Sequence, residues 1–325
     1  MTEIGLQIDF DLVDRFAADL DALISNGVPV GVAVSGGPDS MALLLLAAAA
    51  RPGRIEAATI DHALRPGARA EAEMVADLCA KLGVPHSILA ARWSEIPQTA
   101  IQERARNERY RLLGYWAEER GLAGIVTAHH ADDQAETLLM RLARGSGVRG
   151  LAAMRPRSVA PGAHVRLVRP LLGWRRSELE AVCAAAAVTP AHDPSNQDER
   201  FERVRIRRAL SDADWLDAGA VARSAANLVE ADDALRWAAE NEWRRAVEQH
   251  GDRISYRPND APGEIVRRIV RRIVRKFATE GETDLRGGEL DRLLATLAEG
   301  ETATLRGVRC SGGRSWRFER APSRR

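Results

Sequence analysis

The sequence predicts an α/β protein: a parallel-sheet nucleotide-binding domain followed by a smaller, mainly helical C-terminal domain. Three observations carry this reading. Short apolar runs alternate with amphipathic helical spacings through the first half of the chain, the pattern of a parallel sheet covered by helices on both faces. A glycine pair, Gly36-Gly37, falls between the first apolar run and the helical stretch behind it. Beyond Trp215 the spacing becomes helical, so the domains are expected at residues 1–210 and 211–325.

The elements follow in order. Asp9 to Ser25 has helical spacing through Phe10, Val13, Phe16, Ala17, Leu20, Leu23 and Ile24, and Gly27 stops it. A strand is expected at Val30–Val34, a helix at Ser40–Ala50 and a strand at Ile55–Ile60. A helix at Ala68–Leu82 ends at Gly83, and a short strand follows at His86–Leu89. Helix Ile101–Arg120 runs to Gly121, strand Gly124–Thr127 comes next, and Asp132–Arg144 is helical. In the second half, Ala220–Gln249 reads as one long helix or two. Ile265 to Phe277 repeats every four residues and lays an apolar stripe beside a cationic one. Leu305–Glu319 reads as a terminal hairpin around Ser311-Gly312-Gly313.

Ligands of open parallel sheets bind beyond the carboxyl ends of the strands. Ser35, Asp61-His62 and Ala128-His129-His130 each directly follow a predicted strand, so all are expected along one edge. Of these, Ser35-Gly36-Gly37-Pro38-Asp39-Ser40 is the most informative. The glycines permit a tight turn that brings N–H groups up to an anion, and the helix start adds unpaired donors and a positive dipole end. Pro38 suits the first helical turn, where it has no N–H to lose. The stretch lacks the Gly-Lys-Ser/Thr ending of a Walker A loop and carries an acid, Asp39, in its place. An acid beside phosphates suggests a Mg²⁺ ion between them. The plainer alternative is that Asp39 and Ser40 only cap the helix.

His130-Ala131-Asp132-Asp133-Gln134-Ala135-Glu136-Thr137 is the second informative stretch. Asp133 and Glu136, three residues apart, share a helical face near its start, within reach of a metal or a substrate amine above the sheet. Alternatively, Asp133 caps the helix and Glu136 closes a capping box. Arg144-Gly145-Ser146-Gly147 ends this helix.

Bulk properties bound the reading. The chain has 325 residues and a net charge of +1, enough length for two domains of ordinary globular composition. No apolar run approaches the roughly 20 residues that span a bilayer. Met1–Phe10 is acidic and unlike a secretory signal, so the cytoplasm is the expected location. Cys79, Cys183 and Cys310 lie far apart without a C-x-x-C pair, which leaves zinc and iron–sulfur chemistry without a sequence basis. Lys81 and Lys276 are the only lysines, so the positive charge is almost all arginine, which suits RNA phosphates and bases. Codon bias explains most of it as well.

The Ser35–Ser40 stretch resembles the pyrophosphate loop of the ATP pyrophosphatase (PP-loop) enzymes. With Thr127–Thr137, Arg144–Gly147, Arg169-Pro170-Leu171-Leu172 and Asp193-Pro194-Ser195-Asn196, the chain resembles the tRNA(Ile)-lysidine synthase family over about two thirds of its length. That resemblance implies cleavage of ATP between its α- and β-phosphates and adenylation of the wobble cytidine of isoleucine tRNA with a CAU anticodon. Free lysine then displaces AMP with its side-chain amine. It implies Ser35, Gly36, Gly37, Pro38, Asp39, Ser40, Asp61, His62 and His130 at ATP, and Mg²⁺ on Asp39 and Asp133. Catalytic roles fall to Asp39, Asp133, Glu136 and Arg106, with Glu136 binding or deprotonating the amine and Arg106 on the activated cytidine. A surface ion pair with Glu103 or Glu108 is the alternative for Arg106. The family pattern R-N-x-I-R stands here as Arg203-Val204-Arg205-Ile206-Arg207, without its asparagine. Arg203 and Arg207 are carried over as tRNA contacts, and the basic helix adds Arg267 and Arg271; solvated faces are the alternative for both. A homodimer is compatible with the sequence. Some family members have a further C-terminal domain, for which this chain is expected to be too short.

Other classes compete. A tRNA-thiolating PP-loop enzyme shares the loop, but its sulfur chemistry normally uses paired cysteines. A small-molecule adenylating amidotransferase needs an ammonia source, and no N-terminal nucleophilic cysteine is present. An RNA-binding protein with a relic nucleotide site would have no need of Asp39, Asp133 and Glu136.

Overall fold

The computed structural model describes residues 8–61, 67–91, 93, 101–191, 198–277, 285 and 287–322. The chain forms two compact units, Met1–Val229 and Glu230–Arg325. The division falls inside a helix, C-terminal to the expected domain boundary.

The first unit opens with α1 (Phe10–Asp21), β1 (Val30–Ala33), α2 (Pro38–Ala50), β2 (Ile55–Asp61), α3 (Ala68–Leu82) and β3 (His86–Ala90). Then come α4 (Ile101–Glu119), β4 (Gly124–Val126), α5 (Ala131–Leu142), the single turn α6 (Val148–Leu151), β5 (Arg157–Val159) and β6 (Arg166–Val168). A 3₁₀ turn (Pro170–Gly173), α7 (Arg176–Ala185) and α8 (Glu202–Asp212) follow, and α9 (Ala218–Ala246) crosses into the second unit. The sheet order is β3-β2-β1-β4-β6-β5. Every pairing is parallel except that of β5 with β6.

Helix α2 explains why the sheet is a firm base. Its Met41 to Ala47 are all buried, so it is apolar around its whole circumference and packs among α1, α7 and the sheet. On the other side of the sheet, Tyr110, Leu113 and Trp116 of α4 close over β4 and β6. Trp116 approaches so closely that a Cβ on Gly31 of β1 would lie 2.5 Å from its ring. Gly31 is what lets that helix seat.

The second unit contains β7 (Val247–His250), β8 (Arg253–Tyr256), α10 (Gly263–Phe277), α11 (Gly287–Ala298), β9 (Thr302–Leu305), β10 (Val308–Ser311) and β11 (Trp316–Arg320). Its strands form an antiparallel sheet in the order β7-β8-β11-β10-β9. The expected terminal hairpin is the β10-β11 part of this larger sheet. Helix α10 buries Ile265, Ile269, Val270, Ile273 and Val274 against Tyr256, Phe318 and Leu293. The apolar stripe therefore does what its spacing predicts. Among the described residues no helix is long and apolar enough to cross a membrane.

Candidate active site

Strand order reverses between β1 and β4, since β1 leads to β2 on one side and pairs with β4 on the other. The crevice beyond the carboxyl ends of such neighbours is where an open α/β sheet binds its ligand. The loop after β1 is Ser35–Gly37 and the loop after β4 is Thr127–His130, so the two informative stretches meet there. Asp61 closes β2 along the same edge. His62 and Asp193–Asn196 lie outside the described residues.

In the first loop Gly36 has φ of +87°, a conformation that favours glycine. Gly37 then N-caps α2 with no side chain in the way, and Pro38 opens the helix. The loop is held from within: Ser40 Oγ accepts from Ser35 N–H at 3.0 Å, donates to the Gly37 carbonyl at 3.0 Å and lies 3.1 Å from Ser35 Oγ. From outside, the Ala191 N–H donates to the Gly36 carbonyl at 2.9 Å. Ser40 is thus a brace for the loop as well as a candidate ligand.

The second loop delivers α5. The Ala131 N–H donates to the carbonyl of Trp174 at 2.8 Å. Trp174 is buried, donates its indole N–H to Asp19 at 2.8 Å and carries the Arg15 guanidinium over its ring at 4.2 Å. The segment Arg169-Pro170-Leu171-Leu172 that precedes it is therefore a buttress for the start of α5. His130 is the N-cap, and its N–H donates to Asp133 Oδ2 at 3.2 Å. Asp133 does take part in the cap, while Glu136 caps nothing. Gly145, with φ of +67°, terminates the helix beyond Leu142.

The His130 ring sits among three carboxylates. Its Nε2 is 3.5 Å from Asp39 Oδ2 and 3.5 Å from Asp133 Oδ2, and its Nδ1 is 3.5 Å from Asp132 Oδ2. Burial opposes the charged imidazole, yet Asp132, Asp39 and Asp133 together push its pKa up to about 10. Burial likewise opposes ionisation of Asp39, but His130, Arg176 and Arg207 outweigh it and hold the carboxyl below its usual range. Asp132 is held well down in the same way against its burial, by His130, the Arg176 N–H at 2.9 Å and Arg175.

Asp39 Oδ2 and Asp133 Oδ2 thus meet at His130 Nε2, and Asp39 Oδ1 is buried without a hydrogen-bond partner. No group of three or more His, Cys, Asp or Glu side chains is arranged around a metal among the described residues. The pair fits Mg²⁺, which characteristically takes one or two carboxylates and completes its shell with phosphates and water.

Glu136 is 2 % exposed. Arg207 Nε donates to its Oε1 at 2.6 Å and Arg203 Nε to its Oε2 at 2.5 Å, while Arg203 Nη2 reaches Asp133 Oδ1 at 2.6 Å. Expected at tRNA phosphate or in solvent, Arg203 and Arg207 of α8 are instead committed to the site's own acids. The other expected tRNA contacts belong to the second unit, where Arg267 pairs with Asp291 and Glu264. Arg271 lies on the same helix.

Arg106 is exposed on α4, its guanidinium 5.1 Å from the Tyr110 ring centre. Glu108, one of its expected partners, is bonded by Arg111 at 2.6 and 2.7 Å. A feature the motifs did not reveal lies beside it. His129, bonded through Nδ1 to Thr127 Oγ1 at 3.0 Å, has its proton affinity driven far down by burial and then by Arg169, Arg106, Arg203 and Arg109. Arg169 is buried on neutral acceptors, the Arg155 carbonyl at 2.7 Å and Ser158 Oγ at 3.1 Å. The edge is therefore acidic at Asp39, Asp132, Asp133 and Glu136, and cationic next to it.

A switch-point crevice with a glycine loop, a helix N-terminus and acids opposite defines a PP-loop domain, and residues 13–213 match the family model of that description. The fold is similar to that of the U34-tRNA thiolase NcsA from Methanococcus maripaludis, with a TM-score of 0.55 over 67 % of this chain and 79 % of that one. Identity to it is 14 %, so the likeness is one of fold. A tRNA(Ile)-lysidine synthase from Novosphingobium aromaticivorans is 48 % identical over 96 % of this chain and 94 % of its own length. Another from Zymomonas mobilis is 42 % identical over 91 % and 89 %. The chain belongs to the tRNA(Ile)-lysidine synthase family.

Proposed function

We propose that the protein joins free lysine to the 2-position of the wobble cytidine of isoleucine tRNA with a CAU anticodon, consuming ATP and releasing AMP and pyrophosphate. The observation that carries this reading is the meeting of the Ser35–Ser40 loop with Asp133 and Glu136 at one switch-point crevice, in a chain of this family.

Ser35, Gly36, Gly37, Pro38 and Ser40, with the first N–H groups of α2, cradle the phosphates that leave, where charge accumulates. Asp39 and Asp133 would hold a Mg²⁺ ion, which would offset that charge when bound. Asp61, His62 and His130 flank the nucleotide. His130 keeps Asp39 and Asp133 paired and oriented. Arg106, beside the cationic group around His129, contacts the activated cytidine. Lysine's amine attacks only after losing a proton, and Glu136, with Asp133, receives the amine and accepts that proton. Residues 1–210 supply this chemistry. The region from 211 onward binds tRNA, with Arg267 and Arg271 as the first arginines to test. The cytoplasm, where ATP, lysine and tRNA are all available, is the expected location.

The test is incorporation of labelled lysine into two transcripts, isoleucine tRNA and methionine tRNA, both with a CAU anticodon, with and without ATP. ATP-dependent label in the isoleucine transcript alone is expected. No label in either, with folded protein, overturns the reading and favours a thiolating or small-molecule PP-loop chemistry.

A further inference from the structure

Glu136 presents a contradiction to any substrate. Its side chain is 2 % exposed, and both its oxygens are occupied, Oε1 by Arg207 Nε at 2.6 Å and Oε2 by Arg203 Nε at 2.5 Å and Arg207 Nη2 at 3.3 Å. Asp133 is equally engaged, Oδ1 by Arg203 Nη2 at 2.6 Å and Oδ2 by the His130 N–H at 3.2 Å. No amine reaches the pair while this arrangement stands. The Arg203 fork spans the two carboxylates and fills the place between them with one positive charge. Its side chain is also 39 % exposed, so it has a way out to solvent that Glu136 lacks.

The helix that carries Arg203 is suited to letting go. Helix α8 has no fully buried residue. Arg203 and Arg207 tie it to α5, Glu202 pairs with Arg144 just beyond that helix, and half-buried Leu210 packs against the cluster that holds Ala135 and Leu138. Exchanging guanidinium for ammonium conserves charge and never leaves buried carboxylates bare, the state that would cost most.

We infer that Arg203 is a specificity-determining residue that occupies the ammonium subsite in the free enzyme, and that the substrate amine enters by exchange with its guanidinium. Arg207 remains on Glu136 throughout. The inference rests on the reading above that Asp133 and Glu136 receive the amine. It follows that a neutral amine cannot open the site, because it cannot replace the charge it displaces. Free-enzyme affinity for lysine is then reduced by the fraction of molecules in which Arg203 has left.

Lysine binding to the full chain, measured by calorimetry at neutral pH without ATP or tRNA, tests this. Arg203→Gln is expected to bind lysine about tenfold more tightly than the natural protein. Methylguanidinium, added to Arg203→Ala, is expected to refill the vacated place and weaken lysine binding, while leaving the natural protein unaffected. Unchanged or weaker lysine binding by Arg203→Gln overturns the inference. If that variant does not fold, Arg203→Lys, which keeps the charge and loses the fork, decides in its place: partial tightening supports exchange and none overturns it. Glu136→Gln separates the two readings. Loss of lysine binding there, without tightening in the arginine variants, refutes only the exchange, whereas natural affinity in Glu136→Gln refutes the amine site itself.

Discussion

His130 carries a pH dependence of definite sign. Its pKa rises from 6.5 in an unfolded chain to about 10 in the fold. The folded state therefore holds an extra proton between those values. Its stabilising contribution is complete below the lower value and is lost as pH rises through the upper one. In chelator-treated buffer the unfolding free energy should fall across this window by at most about 1.4 kcal/mol per pH unit. His130→Gln should flatten that limb in urea melts, and an unchanged slope would place the alkaline loss elsewhere. Gly36 offers a second residue-scale test. A Cβ there meets only ordinary contacts, the nearest at 3.5 Å, but φ of +87° strains any other residue. Gly36→Ala should cost about 1 kcal/mol or more in stability and should weaken ATP binding severely, because the loop's N–H groups turn with the backbone. Asp39→Ala should abolish pyrophosphate release and leave much tRNA binding. Loss of both together would make Asp39 a folding residue.

Elements differ in how much of them the sequence discloses, and the difference is physical. The β1 loop and the start of α5 are legible because phosphate binding and helix initiation are local: a few consecutive residues specify the backbone. Helix α10 is legible because its apolar stripe repeats every four residues. The partners of Arg203 and Arg207 are not local. They lie 67 to 71 residues away on α5, and nothing in Arg203–Arg207 itself tells a phosphate ligand from an internal counter-ion. Strands β5 and β6 are as short as β4 but each begins on an exposed arginine, Arg157 and Arg166, so neither shows the wholly apolar run that marks β4. The same limit applies to α10's cationic side. Arg268 is bonded to Asp232 at 2.7 Å, with side chains 11 % and 4 % exposed, and to Glu264 at 2.9 Å. Arg272 lies 3.9 Å from the Trp243 ring centre and bonds Glu240 at 2.6 Å. Much of the charge that looks like an RNA face holds the unit together. Arg268→Ala should therefore cost about 3–5 kcal/mol, as breaking a buried pair does. Arg267→Ala, whose pairs are more exposed, should change the melting curve little.

At the scale of the whole molecule, a net charge of +1 provides no general attraction for a polyanion such as tRNA. Binding must come from arginines concentrated in places, and neutralised phosphates then release counterions one by one. The logarithm of tRNA affinity should consequently fall steeply with the logarithm of salt despite the near-zero net charge. Variants sort the arginines. Where Arg267 and Arg271 exchange their internal partners for phosphate, Arg267→Gln/Arg271→Gln should lower the salt slope by about 0.7–0.9 for each phosphate no longer neutralised and weaken all tRNAs alike, since phosphate contacts carry no sequence. An unchanged slope with a lowered melting temperature would assign these arginines to folding and move tRNA recognition to other arginines, first those around His129. Arg106→Gln belongs to the same measurement. If it contacts the activated cytidine it should reduce lysidine formation while leaving pyrophosphate binding and the salt slope nearly intact, because its contribution is made at the reacting base. A fall in slope without a fall in turnover would make it a backbone contact instead.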